Sequence, residues 1–349
     1  MDPCGLCAGK RGGDRPCELK RKAENPSMNI LILSCGTRNK LVQYFKGEGN
    51  GFDRVIGTDC SAYAPALYET DKYYLVPRMT SPDYLDIILK ICEEEKIDAV
   101  LPLQEDELFL IASHKERFTK KGICPIVSSP EAVELCRDKY VFYHHLVKHG
   151  LPVLPTCDSF DTFRKCYEDG RMNFPVFVKP IRGCGSTGIQ KVEHMELLEV
   201  LCKYSSDDLL IQSFAEGEEY GVDLYVDMLS HKPVSIFIKK KLRMRAGETE
   251  KSVSVKDETL FDLVKQTAET LSLSGPVDMD IFCVDGKYYI SEINPRFGGG
   301  YPHAYSCGVN FPQLIAANLS GKENTDTIGS YEDGICMLKY TDLMTLRVD

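Results

Sequence analysis

Long apolar runs are missing from this 349-residue chain. No stretch approaches the ~18 consecutive apolar residues of a membrane-spanning helix. A basic excess is missing too: 42 Lys and Arg stand against 52 Asp and Glu, a formal charge of −10. The basic stripe that a nucleic-acid face requires is therefore not available. Nor does the chain open on a charged-then-apolar leader, because residues 1–27 are polar, basic and Gly/Pro-containing. These absences predict a cytoplasmic protein whose partners are neither nucleic acid nor membrane.

A disulfide framework is not expected either. The fifteen cysteines are odd in number, and most, such as Cys35, Cys92, Cys136, Cys202 and Cys283, are scattered singly through apolar segments. In a reducing compartment such residues behave as small buried hydrophobes. Cys4, Cys7 and Cys17 make a C-x-x-C plus one, with no fourth ligand and no histidine nearby. Residues 1–27 thus read as a disordered extension or tag, with the folded part starting at Met28.

What is present begins with alternation. Asn29–Ser34 is a strand-length apolar run, followed by Cys35-Gly36-Thr37 and a helical pattern through Leu41, Val42 and Phe45. Val55–Thr58 and Ala99–Leu103 read as further buried strands, Tyr84–Glu95 as an amphipathic helix, and Glu107–Ser113 and Cys124–Val127 as another helix and strand. Strands alternating with helices indicate an open parallel α/β domain. Two helical stretches over residues 130–150 meet near Asp138-Lys139. The proline-rich segment 151–156 then reads as an extended linker. Beyond it the period changes to that of antiparallel strands, with a helix at Glu258–Leu271 and a tight Asp285-Gly286 turn joining Val277–Cys283 to Tyr288–Ile293.

Three constellations carry chemistry. Lys179 ends a strand and is followed by a loop containing Gly183, Gly185, Ser186 and Gly188. A cation and closely approaching backbone N–H groups suit a polyphosphate, although a plain glycine-rich hairpin is the competing reading. The spacing is not that of a P-loop. Second, the connection Gln212–Tyr220 can offer backbone groups to an adenine edge and a carboxylate to ribose hydroxyls; an acidic, water-exposed hinge is the alternative. Third, Asp280 and Glu292 fall near each other across the Asp285-Gly286 hairpin, with Asn294 two residues on along the same face. Two carboxylates and an amide oxygen form a hard, oxygen-rich set suited to Mg²⁺. Arg296 follows, a permanently charged fork for phosphate or carboxylate oxygens.

From about Met28 to Tyr340, the order Lys179, glycine loop, Glu219, Asp280, Glu292-Ile293-Asn294-Pro295-Arg296 resembles ATP-grasp enzymes. Among them it resembles the short, single-half relatives of the carbamoyl-phosphate synthase large subunit. The resemblance implies an ATP-grasp fold: an open parallel pre-ATP-grasp α/β domain over residues 28–128, a lid subdomain with a preceding helical linker over 129–212, and a C-terminal α+β subdomain over 213–349. It implies ATP and Mg²⁺ as cofactors, with Mn²⁺ as a substitute, and leaves room for a homodimer. Carried over, Lys139 and Lys179 contact ATP phosphates, Gly183, Gly185, Ser186 and Gly188 form the phosphate loop, and Gln212 with the backbone of Ser213 and Ala215 meets adenine. Glu219 would hold ribose. Asp280, Glu292 and Asn294 would hold the metal, and Arg296 would stabilise the transferred phosphoryl group. Gln212 stands where many relatives have Glu.

The activity so implied is ATP-dependent ligation, in which a carboxylate is activated as an acyl phosphate for attack by an amine. A small-molecule kinase and a non-catalytic nucleotide-binding module are the alternatives. For the substrate, Lys240, Arg243 and Arg245 are candidates to enter the cleft, with Lys240 and Arg245 taken as catalytic. The run Gln104-Glu105-Asp106-Glu107, just beyond a parallel strand, is a candidate for an amino group. It also reads as an acidic first helical turn. His144 and His145 are expected to be structural.

Overall fold

The computed structural model describes residues 28–183, 189–245 and 247–347. The first sheet contains β1 (Asn29–Leu33), β2 (Arg54–Asp59), β3 (Lys72–Leu75), β4 (Ala99–Pro102) and β5 (Cys124–Pro125), all parallel, in the order β3-β2-β1-β4-β5. Its central strands read as continuous apolar runs because both faces are covered. Ile30, Leu31, Ile32 and Leu33 are all fully buried. The helices α1 (Asn39–Phe45), α2 (Tyr84–Glu94), α3 (Glu105–Ser113) and α4 (Lys115–Thr119) lie between these strands in the chain.

Two helices then leave this unit, α5 (Pro130–Arg137) and α6 (Lys139–Lys148). The break between them is Asp138, whose extended backbone ends one helix while its side chain accepts a hydrogen bond from the Val141 N–H and starts the next. A small antiparallel sheet follows, ordered β6-β9-β7-β8, from β6 (Thr156–Cys157), β7 (Val176–Pro180), β8 (Gln190–Val192) and β9 (Leu209–Ser213). The helices α7 (Phe160–Glu168) and α8 (Met195–Tyr204) close its apolar face. Phe163, Met172, Val176, Leu198 and Ile211 make a core that is separate from the rest of the molecule.

The third sheet is antiparallel and six-stranded, ordered β14-β13-β10-β11-β12-β15. Its strands are β10 (Glu218–Val226), β11 (Pro233–Arg245), β12 (Glu248–Val255), β13 (Gly275–Val284), β14 (Lys287–Asn294) and β15 (Cys336–Leu338). The remaining helices are α9 (Glu258–Thr270), α10 (Tyr301–Ser306) and α11 (Phe311–Leu319). One apolar cluster runs from Ile30 and Phe45 through Phe297 and Tyr301 to Val222 and Met279. The first and third sheets therefore share a core, and the small sheet does not.

Asp285 and Gly286 carry φ of 50° and 74° at the β13–β14 turn, the positive pair that a two-residue hairpin of matching twist demands. Cys35, Cys92 and Cys136 are buried free thiols, each pushed up to about 12 chiefly by desolvation. Cys202 and Cys283 are only partly buried. Cys4, Cys7 and Cys17 lie outside the described residues, as do Gly185, Ser186 and Gly188. No helix among the described residues is long and apolar enough to cross a membrane.

Candidate functional site

A cleft of about 770 Å³ opens between the small sheet, one face of the six-stranded sheet and the C-terminal ends of β1 and β4. Its floor is set by strand register. Across antiparallel neighbours, Asp280 is opposite both Glu292 and Gly221, Asp278 is opposite Asn294 and Asp223, and Gly221 is opposite Lys239. Directly opposed residues project to the same side. One polar row therefore crosses four strands.

Gly221 has a steric task in that row. A Cβ there would stand 3.0 Å from Lys239 Cε and 3.1 Å from Lys241 Cε. Its hydrogen leaves space for two lysine side chains to pass. Lys239 pairs with Asp223, and both are almost wholly buried. Burial pushes the Asp223 carboxyl up to about 6, against the pull of Lys239. Lys241 bridges Glu219 at 2.7 Å and Asp280 at 2.6 Å. Burial alone would lower its pKa, but the two carboxylates outweigh that and hold it above the ordinary lysine value. Asp280, three-quarters buried at the foot of the cleft, is shifted upward by desolvation despite Lys241.

A carboxylate so placed gains from a further cation. Asp280, Glu292 and Asn294 line the cleft together, offering only hard oxygen donors beside an open space. Among the described residues no three His, Cys, Asp or Glu side chains form a closed metal cage. That combination suits Mg²⁺, which takes one or two carboxylates and leaves its other positions to phosphates and water.

Facing this floor, Lys179 on β7 is 7% exposed and donates to Gln212 Oε1 at 3.1 Å. The Gln212 amide in turn donates to Thr156 Oγ1 at 3.0 Å, which fixes its orientation. Burial lowers the Lys179 pKa, with Glu292 the leading opposing influence. Lys139, the first residue of α6, donates to the Gly183 carbonyl at 2.7 Å. Ser213 and Ala215 line the cleft beside the stacked rings of Phe177 and Phe214. The Ser213 N–H is engaged by the Pro155 carbonyl at 2.9 Å.

At the other end stand Arg38, Gln104, Glu105, Glu248 and Arg296. Arg296 Nη1 lies 3.5 Å from Asp278 Oδ2, and Nη2 lies 3.8 Å from Glu105 Oε1. Burial raises the Glu105 pKa, and Arg296 opposes the rise.

Three candidates lie outside this site. Lys240, Arg243 and Arg245 are not among the cleft-lining residues; Lys239 and Lys241 are. Side chains on β11 alternate, so Lys240 turns to the opposite face and pairs with Glu218. Arg245 lies beyond two register irregularities and is an exposed partner of Glu250, as is Arg243. The acidic run also divides. Glu105 faces the cleft, Asp106 pairs with Arg137, and Glu107 is buried against Ser34 and Tyr84. His144 packs on Tyr140 and Tyr143, and His145 on His149.

Sequence reasoning passed over Asp278, Lys241 and Arg38. Asp278 shares the parity of Asp280 and was visible on that ground. The phase of β11 was not, because a run of three lysines gives no apolar alternation to set it.

Residues 30–127 match the family described as PylC-like, N-terminal domain, and residues 136–300 match the ATP-grasp domain. The chain is 21% identical over 350 residues to the arginine-specific carbamoyl phosphate synthase large chain of Geobacillus stearothermophilus, covering 93% of this chain and 33% of that one. It therefore spans about a third of that relative's length. It is 27% identical over 253 residues to a D-alanine–D-alanine ligase of Corynebacterium aurimucosum, covering 63% and 69% of the two chains. In structure it is similar to Campylobacter jejuni biotin carboxylase, with a TM-score of 0.70 at 18% identity over 90% of this chain and 75% of that one.

Proposed function

The chain belongs to the ATP-grasp superfamily, and from that premise we propose that it is an ATP- and Mg²⁺-dependent ligase joining a carboxylate to an amine. The observation that carries the reading is the register pairing of Asp280 with Glu292 on one cleft wall, across from the buried, oriented Lys179.

On this reading ATP lies between the small sheet and the six-stranded sheet. Lys139 and Lys179 hold its phosphates, the Ser213–Ala215 backbone and Gln212 meet adenine, and Glu219 holds ribose once released from Lys241. Asp280, Glu292 and Asn294 would hold Mg²⁺, which when bound neutralises charge on the β- and γ-phosphates. Phosphoryl transfer asks a protein mainly for alignment and charge stabilisation. Arg296, held between Asp278 and Glu105, would put its guanidinium on the transferred phosphoryl group. A carboxylate oxygen attacks phosphorus and ADP leaves. The amine nitrogen then attacks the acyl carbon and phosphate leaves, the lost ammonium proton passing to solvent. An acyl phosphate is destroyed by water, so the small sheet, with its independent core, is suited to close as a lid.

An ADP-release assay over pairs of carboxylates and amines tests the proposal. ADP formation requiring both substrates supports ligation, whereas ADP formed with the acid alone makes the protein a kinase. Asp280→Asn with Glu292→Gln is expected to retain the circular-dichroism spectrum and to lose at least about 100-fold in Mg²⁺-dependent turnover. Unchanged turnover in that variant removes the metal assignment.

A further inference from the structure

Arg38 and Glu105 have no task in handling the nucleotide, yet both line the cleft. Topology explains their position. In the order β3-β2-β1-β4-β5 the chain's strand sequence reverses between β1 and β4. Open parallel sheets bind ligands in the crevice outside such a reversal. Arg38 follows β1 at the start of α1, and Glu105 follows β4 as the first residue of α3. One cation and one carboxylate thus flank the crevice.

Both are under-partnered. The ion pair of Arg38 with Glu248 is long, at 3.9 Å, and Glu248 is already tied to Lys339. Glu105 Oε1 is buried without a hydrogen bond among the described residues, and Arg296 approaches it only to 3.8 Å. Desolvating a guanidinium and a carboxylate without close partners is costly unless a ligand completes them. The opposite wall makes room for this. A Cβ at Gly299 would stand 2.9 Å from Arg38 Nη1, so glycine is what allows the guanidinium to lie there.

Building on the ligase reading, we infer that the amine substrate is an α-amino acid bound as a zwitterion, its carboxylate on Arg38 and its ammonium group on Glu105. A simple amine or a simple acid satisfies only half of that pair. The placement also serves the chemistry. Arg296 lies between Glu105 and Asp278, so a nitrogen held at Glu105 is beside the residue assigned to the transferred phosphoryl group. After the ammonium loses a proton, its nitrogen forms the C–N bond, the acyl C–O bond breaks, and phosphate departs.

The test uses the full chain. Its melting temperature is first measured with Mg²⁺ and a non-hydrolysable ATP analogue, which examines the nucleotide site alone. Each of the twenty L-amino acids is then added, beside its decarboxylated amine and its deaminated acid, and ADP release from MgATP is followed in parallel with a panel of carboxylates present, because the amine acts only on an acyl phosphate already formed. At least one amino acid is expected to raise the melting temperature and stimulate ADP release, with neither single-charge analogue matching it. Arg38→Ala should raise the KM for that amino acid about 10- to 100-fold, as loss of a charge-assisted hydrogen bond predicts. Arg38→Lys should recover part of the loss, and Glu105→Gln should narrow the preference for the amino acid over its deaminated acid. If the analogue binds but no amino acid acts, or an amine lacking a carboxylate acts equally well, the inference falls and the ligase reading stands. If the analogue does not bind, the ligase reading falls and takes the inference with it.

Discussion

Glu107 sits in the core of the parallel α/β unit, 0% exposed, accepting hydrogen bonds from Ser34 Oγ at 3.0 Å and from the Tyr84 hydroxyl. Desolvation pushes its carboxyl up to about 7 from the usual 4.5, and the two hydroxyl donors only moderate the rise. The folded protein therefore holds a proton between pH 4.5 and 7 that the unfolded chain has released. Stability from this group is complete below 4.5 and is lost as pH rises through 7. The slope in that window is about −1.4 kcal/mol per pH unit, a total near 3 kcal/mol. Glu107→Gln keeps the size and an acceptor oxygen but cannot ionise. Urea unfolding of both proteins at several pH values from 4.5 to 7.5 isolates the effect, because other groups cancel in the difference. The variant should gain about 3 kcal/mol relative to the parent across that range. A difference that stays flat with pH would show that Glu107 titrates normally and that its burial is offset in some other way.

Asp223→Asn leaves the Lys239 ammonium buried without its partner, and should cost about 3–5 kcal/mol and roughly 5–10 °C in melting temperature; Asp223→Leu with Lys239→Met should recover most of that loss. A single variant melting within about 1 °C of the parent would contradict this. Gly217→Ala would place a Cβ 2.0 Å from the Cys283 carbonyl oxygen, lifting the 213–218 connection from β13. The expected result is a loss of about 1–3 kcal/mol together with a raised KM for ATP, and an unaltered KM would separate this connection from the nucleotide.

Much of this architecture was legible because its signals are local. The buried run at Asn29–Leu33, the α5–α6 break at Asp138 and the Asp285-Gly286 turn each rest on a few neighbouring residues. Counting outward from that turn brings Asp280 near Glu292 but strictly opposite Ser291; the bulge between Asp280 and Ile281, which no local signal announces, shifts the register by one and sets Glu292 directly across. Where signals depended on distant partners, the reading failed. β12, Glu-Thr-Glu-Lys-Ser-Val-Ser-Val, is polar enough to pass for a loop, and it is a strand because β11 and β15 flank it. β3 is an edge strand with its side chains largely exposed, so burial left no mark on its composition. The division of Gln104–Glu107 into cleft, surface and core depended on how α3 turns against Tyr84 and Arg137. Nothing within four residues encodes that rotation.

The separate core of the small sheet has a mechanical consequence. Its chain enters past Pro152, whose carbonyl accepts from the Ile290 N–H at 2.9 Å, and leaves through Gly217, wedged against Cys283. Closing as the proposed lid, a body fastened at two such points would turn about the line that joins them, as a door does. Arg182 on Glu134 and Asp138, and Lys139 on the Gly183 carbonyl, are the polar contacts that such a turn would have to break.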